Sequence, residues 1–537
     1  MKPTTPITLD PTQLPDDLEL LKSLVKDLLT TLQDQTEHIE TLKHQLHEAL
    51  RRHYGRKTEA MDPDQLNLFL RQIENELLGV KAPEVPVAEV KKAVEGHGRR
   101  KPSQTLPVER TVYPLAEEKK TCPDCGHSLN KIGEEVRALV DYVPASFVLK
   151  EQVSEKWACS DCQGNVVASE LPAKPIERGM AGAGLLAQVI VGKYGDHLPL
   201  YRQSEIYERQ GFEVSRSTLC DWIAQSADLL APLVEAMKVD VLQSKVIHTD
   251  DTPVPVLDEK PEPKEGAPPG EEEADEPFKR KARLGRLWVY VGDEEHEHIV
   301  FDYTPDRKGE RPRAYLLGWK GHLQADAYAG YDAMYAKAGV VEVACWAHAR
   351  RKFHDAYPTA KPQGKMALAY IHQLYMVEKL AKGLSPEERK EIRQKHARPI
   401  LDAFKQWLDA QVLILLPKSA MGLAVGYSLN QWDALNCYVG NGALAIDNNK
   451  AERALRCVAV GRKNWLFAGS DLGGRNAAIL YSLVASCKLH KVESWAYLRD
   501  VIGRVKTHPA SQIAELLPAN WKPTVVSPAA QPEPVVA

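Results

Sequence analysis

Two cysteine pairs, CPDCGHSL (Cys122, Cys125) and CSDCQG (Cys159, Cys162), stand 33 residues apart and constrain this chain more than any other feature. Each pair is followed by a glycine suited to a tight turn, so two knuckles can face each other and close four thiolates around one tetrahedral ion. Between the pairs, EEVRALVDYVPASFVLKEQVSEKWAC alternates apolar and polar residues as the strands of a ribbon do. A single CxxC is ambiguous between zinc, a disulfide and a redox pair; two of them favour zinc. With four cysteines no position stays open for water, so the expected Zn2+ is structural. Nine cysteines in all, an odd number in a long chain, argue against a secreted disulfide scaffold.

At 537 residues the chain has room for three or four domains. No uncharged apolar run approaches the ~18 residues of a membrane span. The beginning, MKPTTPITLDPTQLPDDLE, lacks the basic and apolar regions of a signal peptide, which sets an expectation of a cytoplasmic protein with no membrane partner. The net charge of −4 hides an asymmetry: Asp258 to Glu276 holds nine acids and two lysines, whereas Lys450 to Lys506 holds eleven Lys/Arg and four Asp/Glu. A basic region inside a near-neutral chain suits a polyanion partner such as DNA, although many basic faces are simply solvated.

Residues 1–80 open with Leu21, Val25, Leu28, Leu32, Gln35, Ile39, Leu42, Leu46 and Ala49, spaced alternately by four and three. This is the seam of a coiled coil, which predicts a homo-oligomer; an intramolecular helical hairpin would show the same spacing. Residues 81–110 have the composition of a linker, and 111–172 hold the ribbon. In 173–240, LYRQSEIYERQ, the turn GFEV and the Ser215-capped RSTLCDWIAQ have the layout of a helix-turn-helix. Arg202, Arg209, Arg216 and Ser217 are its candidate DNA contacts.

Residues 241–366 alternate strand and helix: KVIHTDDTPVPVL, GRLWVYVGDE and EHIVFDYTP as strands, GERPRAYLLGW as helix, then GHLQADAYAG and VEVACWAHARRKF. A Pro/Glu-rich stretch, 258–282, interrupts the first two strands; its composition cannot pack a core and predicts a disordered insert. Residues 367–440 are helical in pattern, 441–522 complete the core, and 523–537 form a frayed tail. The predicted class is therefore multidomain α+β.

Three strands, a helix, two more strands and a late helix is the order of a ribonuclease H-like fold, which brings acids to one edge of a sheet. Here those acids are Asp250, Asp326 and Glu452. Converging carboxylates repel, and an all-oxygen donor set selects Mg2+ or Mn2+. Two such ions about 3.5–4 Å apart serve in-line phosphoryl transfer. The late helix also carries Arg453, Arg456, Arg462 and Lys463, with Asn448 and Asn449 at its start as phosphate contacts or caps. Trp465 suits either base stacking or the core, with the core the commoner fate.

On YGRKTE, PDQLNLF, CPDCG…CSDC, KYGDHLPLYRQSEIYERQGFEVSRSTLCDW, TDDTPVPVL, GRLWVYV, LQADAYAGY, CWAHARRKF and DNNKAERALRCVAVGRKNWLFAGS, the chain resembles the TnpC-type DDE transposases of the insertion sequence 66 family. The motifs run nearly the full length. The resemblance implies a ribonuclease H-like catalytic core interrupted by a helical insertion. It assigns the triad to Asp250, Asp326 and Glu452, and implies an Mg2+-dependent enzyme acting on the ends of its own element in a bacterial nucleoid, with accessory proteins of that element possible. A catalytically idle zinc-containing DNA-binding protein and a nuclease of the same fold are the alternatives. The doubled aspartate leaves open whether Asp250 or Asp251 points inward. Cys345 and His348 resemble a Cys-x-x-His found in several DDE transposases, but two donors alone do not make a metal site, and packing is their expected role.

Overall fold

The structure is a computed structural model that describes residues 146–154, 156–158, 166–168, 173–177, 179–257, 282–336 and 339–523, with positions 19, 22, 23, 25, 26, 29–32, 35 and 39 near the start. Cys122, Cys125, Cys159 and Cys162, the linker, residues 258–281 of the acidic stretch and residues 524–537 of the tail lie outside the described residues. By contacts the chain divides into two units, Met1–Glu76 with Gln152–Ala537, and Leu77–Glu151.

The described positions between 19 and 39 are all helical, and Val25, Leu32 and Ile39 of the predicted seam are each at least half exposed. In the ribbon region, β1 (Lys156–Ala158) and β2 (Val166–Ala168) form an antiparallel pair with Trp157 opposite Val167.

Three helices follow: α1 (Ala183–Ile190), α2 (Leu200–Arg209) and α3 (Arg216–Val241). Gly211, at φ +82°, makes the turn between α2 and α3, a conformation that a Cβ would disfavour. The Ser215 hydroxyl then accepts the Thr218 amide and caps α3 as its position predicts. Helix α3 runs for 26 residues, far beyond a recognition helix, and buries Leu219, Ile223, Leu230, Leu233 and Met237.

The central sheet comprises β3 (Val246–Leu257), β4 (Ala282–Val291), β5 (Ile299–Thr304), β6 (Gly321–Gln324) and β7 (Val340–Val343), in the spatial order β5-β4-β3-β6-β7. Strand β4 pairs antiparallel with both β3 and β5, and β6 and β7 run parallel to β3. The short helices α4 (Glu310–Tyr315) and α5 (Asp332–Tyr335) fill the β5–β6 and β6–β7 connections. Pairing between β3 and β6 covers only Val246 to His248. Pro253 and Pro255 are tolerated because they lie past that point, where no β6 donor is required of them. The Ala468 backbone takes up part of the freed edge, donating to the Pro255 carbonyl at 2.9 Å and accepting from the Leu257 amide at 3.0 Å.

Helices then build a lobe of their own: α6 (Trp346–Ala356), α7 (Lys361–Leu380), α8 (Pro386–Ile392), α9 (Arg398–Val412), α10 (Ala420–Asn430) and α11 (Trp432–Gly440). Trp346, Phe353, Ile371, Leu401, Phe404 and Tyr438 are among its buried core. Arg393 is buried within it: the guanidinium grips Glu378 through two hydrogen bonds of 2.7 Å and donates to the carbonyls of Tyr438 and Asn441. With these hydrogen bonds on a carboxylate and two carbonyls, the buried charge is compensated.

The chain returns to the sheet with α12 (Asn449–Trp465), α13 (Asp471–Leu489) and α14 (Ser494–Arg504). Helix α13 covers β5, an edge strand. Its Ser482 and Ser486 hydroxyls accept the amides of Phe301 and Ile299, groups that would otherwise stand unpaired at the sheet edge. Among the described residues no helix is long and apolar enough to cross a membrane.

Candidate active site

The parallel register of β3 on β6 sets His248 opposite Gln324. Asp250 stands two residues further along β3 and Asp326 two residues further along the chain, just past β6, which brings the two acids to the carboxyl end of β6. Side chains alternate along β3, which puts His248, Asp250 and Thr252 on one face and Asp251 on the other.

Helix α12 is tied to the first of these faces at both ends. At its start Asn448, fully buried, donates through Nδ2 to the Thr249 carbonyl (2.8 Å) and accepts through Oδ1 from His248 Nδ1 (3.2 Å). Burial pushes the His248 imidazole down to about 3, so it is neutral and suited to a single donated proton. At the far end Arg462 donates to Thr252 Oγ1 (2.8 Å) and the Pro253 carbonyl (2.6 Å). The two ties flank Asp250 on the strand, and Glu452 lies one helical turn beyond Asn448. Two residues read from sequence as phosphate contacts, Asn448 and Arg462, thus spend their polar groups inside the fold. The N-terminal side-chain bonds of α12 come instead from Asp447, whose carboxylate accepts the Asn449 amide and the Tyr375 hydroxyl.

Asp250 is mostly buried. Burial first, then Asp326, and more weakly Asp251 and Glu452, push its carboxyl up to about 7 against the opposing hydrogen bond from the Asp251 amide. That amide, at 2.8 Å, is its one hydrogen-bond donor among the described residues, and no ion pair reaches it. Burial also raises the Asp326 carboxyl above the usual range, against the pull of Arg307 and His348. Glu452 Oε1 is buried and accepts no hydrogen bond, with His348 Nε2 3.8 Å away. Asp326 and Glu452 are near enough to Asp250 to repel its charge, one of the acids has an orphaned oxygen and one has no ion-pair partner among the described residues; oxygen donors of this kind suit a hard divalent ion.

Asp251 is in a different situation. Its side chain is 2% exposed and held by Arg286 Nη1 at 2.9 Å and Arg307 at 2.8 Å. Of the doubled aspartate, then, Asp250 has Asp326 and Glu452 as charged neighbours, and Asp251 is matched by two guanidiniums, one of them shared with Asp326. Neither arginine carries a signal in the sequence: Arg286 is an outward position of GRLWVYV, and Arg307 sits in the turn TPDRKG.

The sequence pair Cys345 and His348 acquires a third donor in space. Cys345 Sγ, a His348 ring nitrogen and a Glu452 oxygen lie within 4.8 Å of one another, a possible metal-binding group. Cys345 is fully buried, its thiol is pushed up to about 11 by burial, and its sulfur accepts the Asn448 amide at 3.2 Å. This contact ties the start of α6 to the start of α12.

Arg202, Arg209, Arg216 and Ser217 are all exposed on α2 and α3. Arg202 donates to the Tyr201 hydroxyl at 3.0 Å. On α12, Asn449, Arg453, Arg456 and Lys463 are exposed. Trp465 is half-buried and donates to the Tyr481 hydroxyl at 3.4 Å.

Comparison with known proteins assigns the class. The family described as "Transposase IS66 family" matches residues 178–269 and 271–476, more than half of the chain. The "zinc-finger binding domain of transposase IS66" matches residues 119–163, a span that holds all four paired cysteines. The "IS66 C-terminal element" matches 482–519, and "Transposase C of IS166 homeodomain" matches 41–111. The chain belongs to the IS66 transposase family. Among its relatives is the uncharacterized protein y4hP of Sinorhizobium fredii (strain NBRC 101917 / NGR234), 32% identical over 489 residues that span 86% of this chain and 84% of y4hP. The uncharacterized protein y4jD of the same strain is 28% identical over 546 residues, 96% of this chain and 99% of y4jD.

Proposed function

We propose that the chain is a DDE transposase that binds the ends of its own insertion sequence and catalyses metal-dependent cleavage and joining of DNA strands. The observation that carries this reading is Asp250: a mostly buried carboxyl beside Asp326 and Glu452, with no ion-pair partner among the described residues. A site arranged in this way has a use for a divalent ion. The 3-2-1-4-5 order of the sheet, with two parallel strands after three antiparallel ones, supports a ribonuclease H-like core in which the helical lobe is the insertion before Glu452.

In this reading Asp250, Asp326 and Glu452 hold Mg2+ or Mn2+, one or two ions. When bound, the metal activates a water or 3′-hydroxyl and stabilises the leaving oxygen of an in-line displacement. The protein's part is to converge the three acids, to give up the Asp250 proton, and to keep Glu452 in place through the docking of α12. Exposed Arg202, Arg209, Arg216, Arg453, Arg456 and Lys463 supply phosphate contacts along the DNA. Cys122, Cys125, Cys159 and Cys162 hold one structural Zn2+. The whole acts in the bacterial cytoplasm on nucleoid DNA, with accessory proteins of the element as further partners. The direct test is a cleavage-and-joining assay with element-end oligonucleotides, with and without Mg2+; no product in Mg2+ or Mn2+ would refute the reading.

The pH dependence of metal binding follows from Asp250. A carboxyl that titrates near 7 must lose its proton to the incoming cation, so apparent Mn2+ affinity should fall about tenfold per pH unit below that point. Calorimetric titration between pH 5.5 and 8.5 reads this directly, and a flat profile would mean that Asp250 is already ionised. For folding of the metal-free chain the raised value favours acid. The native state keeps this proton to higher pH than the unfolded chain does, so the contribution is full below pH 4 and is lost as pH rises through 7.

Self-association is expected through the N-terminal seam, where Val25, Leu32 and Ile39 lie exposed on a single chain. Val25→Asp with Leu32→Asp places charges in an apolar interface. Sedimentation should then report the monomer mass with the catalytic core still folded. An unchanged mass would show that the seam closes within one chain.

A further inference from the structure

Asp251 and Arg307 lie next to the proposed metal ligands without being among them. Arg307 comes from the loop after β5 and bridges two acids, donating to Asp251 Oδ1 at 2.8 Å and Asp326 Oδ2 at 3.3 Å. Behind Asp251, Arg286 on β4 holds the other carboxylate oxygen at 2.9 Å. The Arg307 guanidinium lies over the Tyr328 ring, 4.2 Å from its centroid, and the Tyr328 hydroxyl donates back to the Arg307 carbonyl. Arg307 is thus held by Asp251, by an aromatic face and through its own backbone, while its Nη2 engages one oxygen of Asp326.

We propose that Asp251 and Arg307 form a positioning relay, anchored by Arg286, that fixes the Asp326 carboxylate so that its other oxygen is presented to the catalytic metal. The argument rests on the three-acid reading above and explains why the sequence doubles its aspartate: one carboxylate serves the metal, the next secures the arginine that aims a second ligand. Asp326 sits past the last residue of β6, where the Ala325 amide on the Val343 carbonyl (3.2 Å) and the Tyr328 amide on the Asp326 carbonyl (2.8 Å) hold the backbone, and the guanidinium is left to orient the side chain. A charge-assisted fork between fixed planes restrains a carboxylate better than a lysine can, because the guanidinium is planar and its donors diverge at set angles.

The test uses full-length, zinc-loaded protein. Mn2+ binding is measured by calorimetry without DNA, and the Mn2+ dependence of strand cleavage is measured on element-end DNA. Arg307→Gln and Arg307→Lys should each weaken Mn2+ binding about tenfold, and cleavage should recover at saturating Mn2+. Asp251→Asn should behave alike, and Asp251→Asn with Arg307→Gln should be no worse than either alone, as expected of links in series. Arg307 is over a third exposed, so its variants are expected to fold and to carry the test if Asp251→Asn does not. Arg307→Lys with wild-type affinity would reduce the effect to charge and overturn the relay. Tighter Mn2+ binding in Arg307→Gln, the result expected if the arginine merely repels the cation, would overturn it too. Asp251→Asn that stays inactive at every Mn2+ concentration while folded would make Asp251 a ligand. Asp326→Asn separates this from the underlying reading: if it cleaves normally, the three-acid site itself is wrong and the relay falls with it.

Discussion

Glu452→Gln is expected to reduce strand cleavage and joining by three orders of magnitude or more, while binding of element-end DNA stays within about twofold. The amide keeps the size of the side chain and leaves α12 docked through Asn448 and Arg462, so the change removes one negative charge and little else. A metal site that loses an anionic ligand stabilises the transition state less; about 4 kcal/mol of lost stabilisation is a factor of ~10^3. DNA binding rests on Lys and Arg contacts to phosphate, which do not involve the acids, and removing a carboxylate near the backbone if anything favours it. Asp326→Asn and Asp250→Asn should repeat the result. A gel-shift assay beside a cleavage assay reads both halves. A Glu452→Gln protein that still cuts in Mg2+ would remove this residue from the metal site. Loss of binding together with activity would point to a folding role for the acid.

Serine at any one of Cys122, Cys125, Cys159 and Cys162 should reduce bound zinc from about one ion per chain to near none and unfold the ribbon. Structural zinc supplies about 10–16 kcal/mol to units of this size, more than a small ribbon core can replace. Elemental analysis reads the metal, and limited proteolysis between β2 and the preceding linker reads the fold. A ribbon that stays protease-resistant without zinc would show that its packing suffices. Chelation of the wild-type protein should produce the same cleavage pattern as the serine variants, with the sheet and the helical lobe untouched.

The strands and the helix pair were legible because each is written locally. Alternation marks β3, β4 and β5; the Ser215 cap and Gly211 turn mark the helix pair; Asp250 within β3 and Asp326 beyond β6 each stand two residues past the paired register. The seam spacing and the paired CxxC motifs are local as well, and the family match to residues 119–163 bears out the zinc-finger assignment.

What sequence alone could not decide depends on residues far apart in the chain. Alternation says that Asp250 and Asp251 face opposite ways but not which way is inward; the groups that distinguish their surroundings are arginines 35 and 56 residues downstream and a helix 200 residues away. Asn448 and Arg462 read as surface contacts because polar residues on a basic helix usually are. Only the docking of α12 on β3 shows them consumed by backbone carbonyls and a buried histidine. Likewise Cys345 and His348 offer two donors in sequence, and the third, Glu452, arrives only after the helical lobe has been traversed. The sequence by itself determined the elements and the donor chemistry, because periodicity, caps and ligand spacing are short-range. The tertiary structure alone decided which charges meet, because ion pairing and burial depend on distances that the chain closes only by folding.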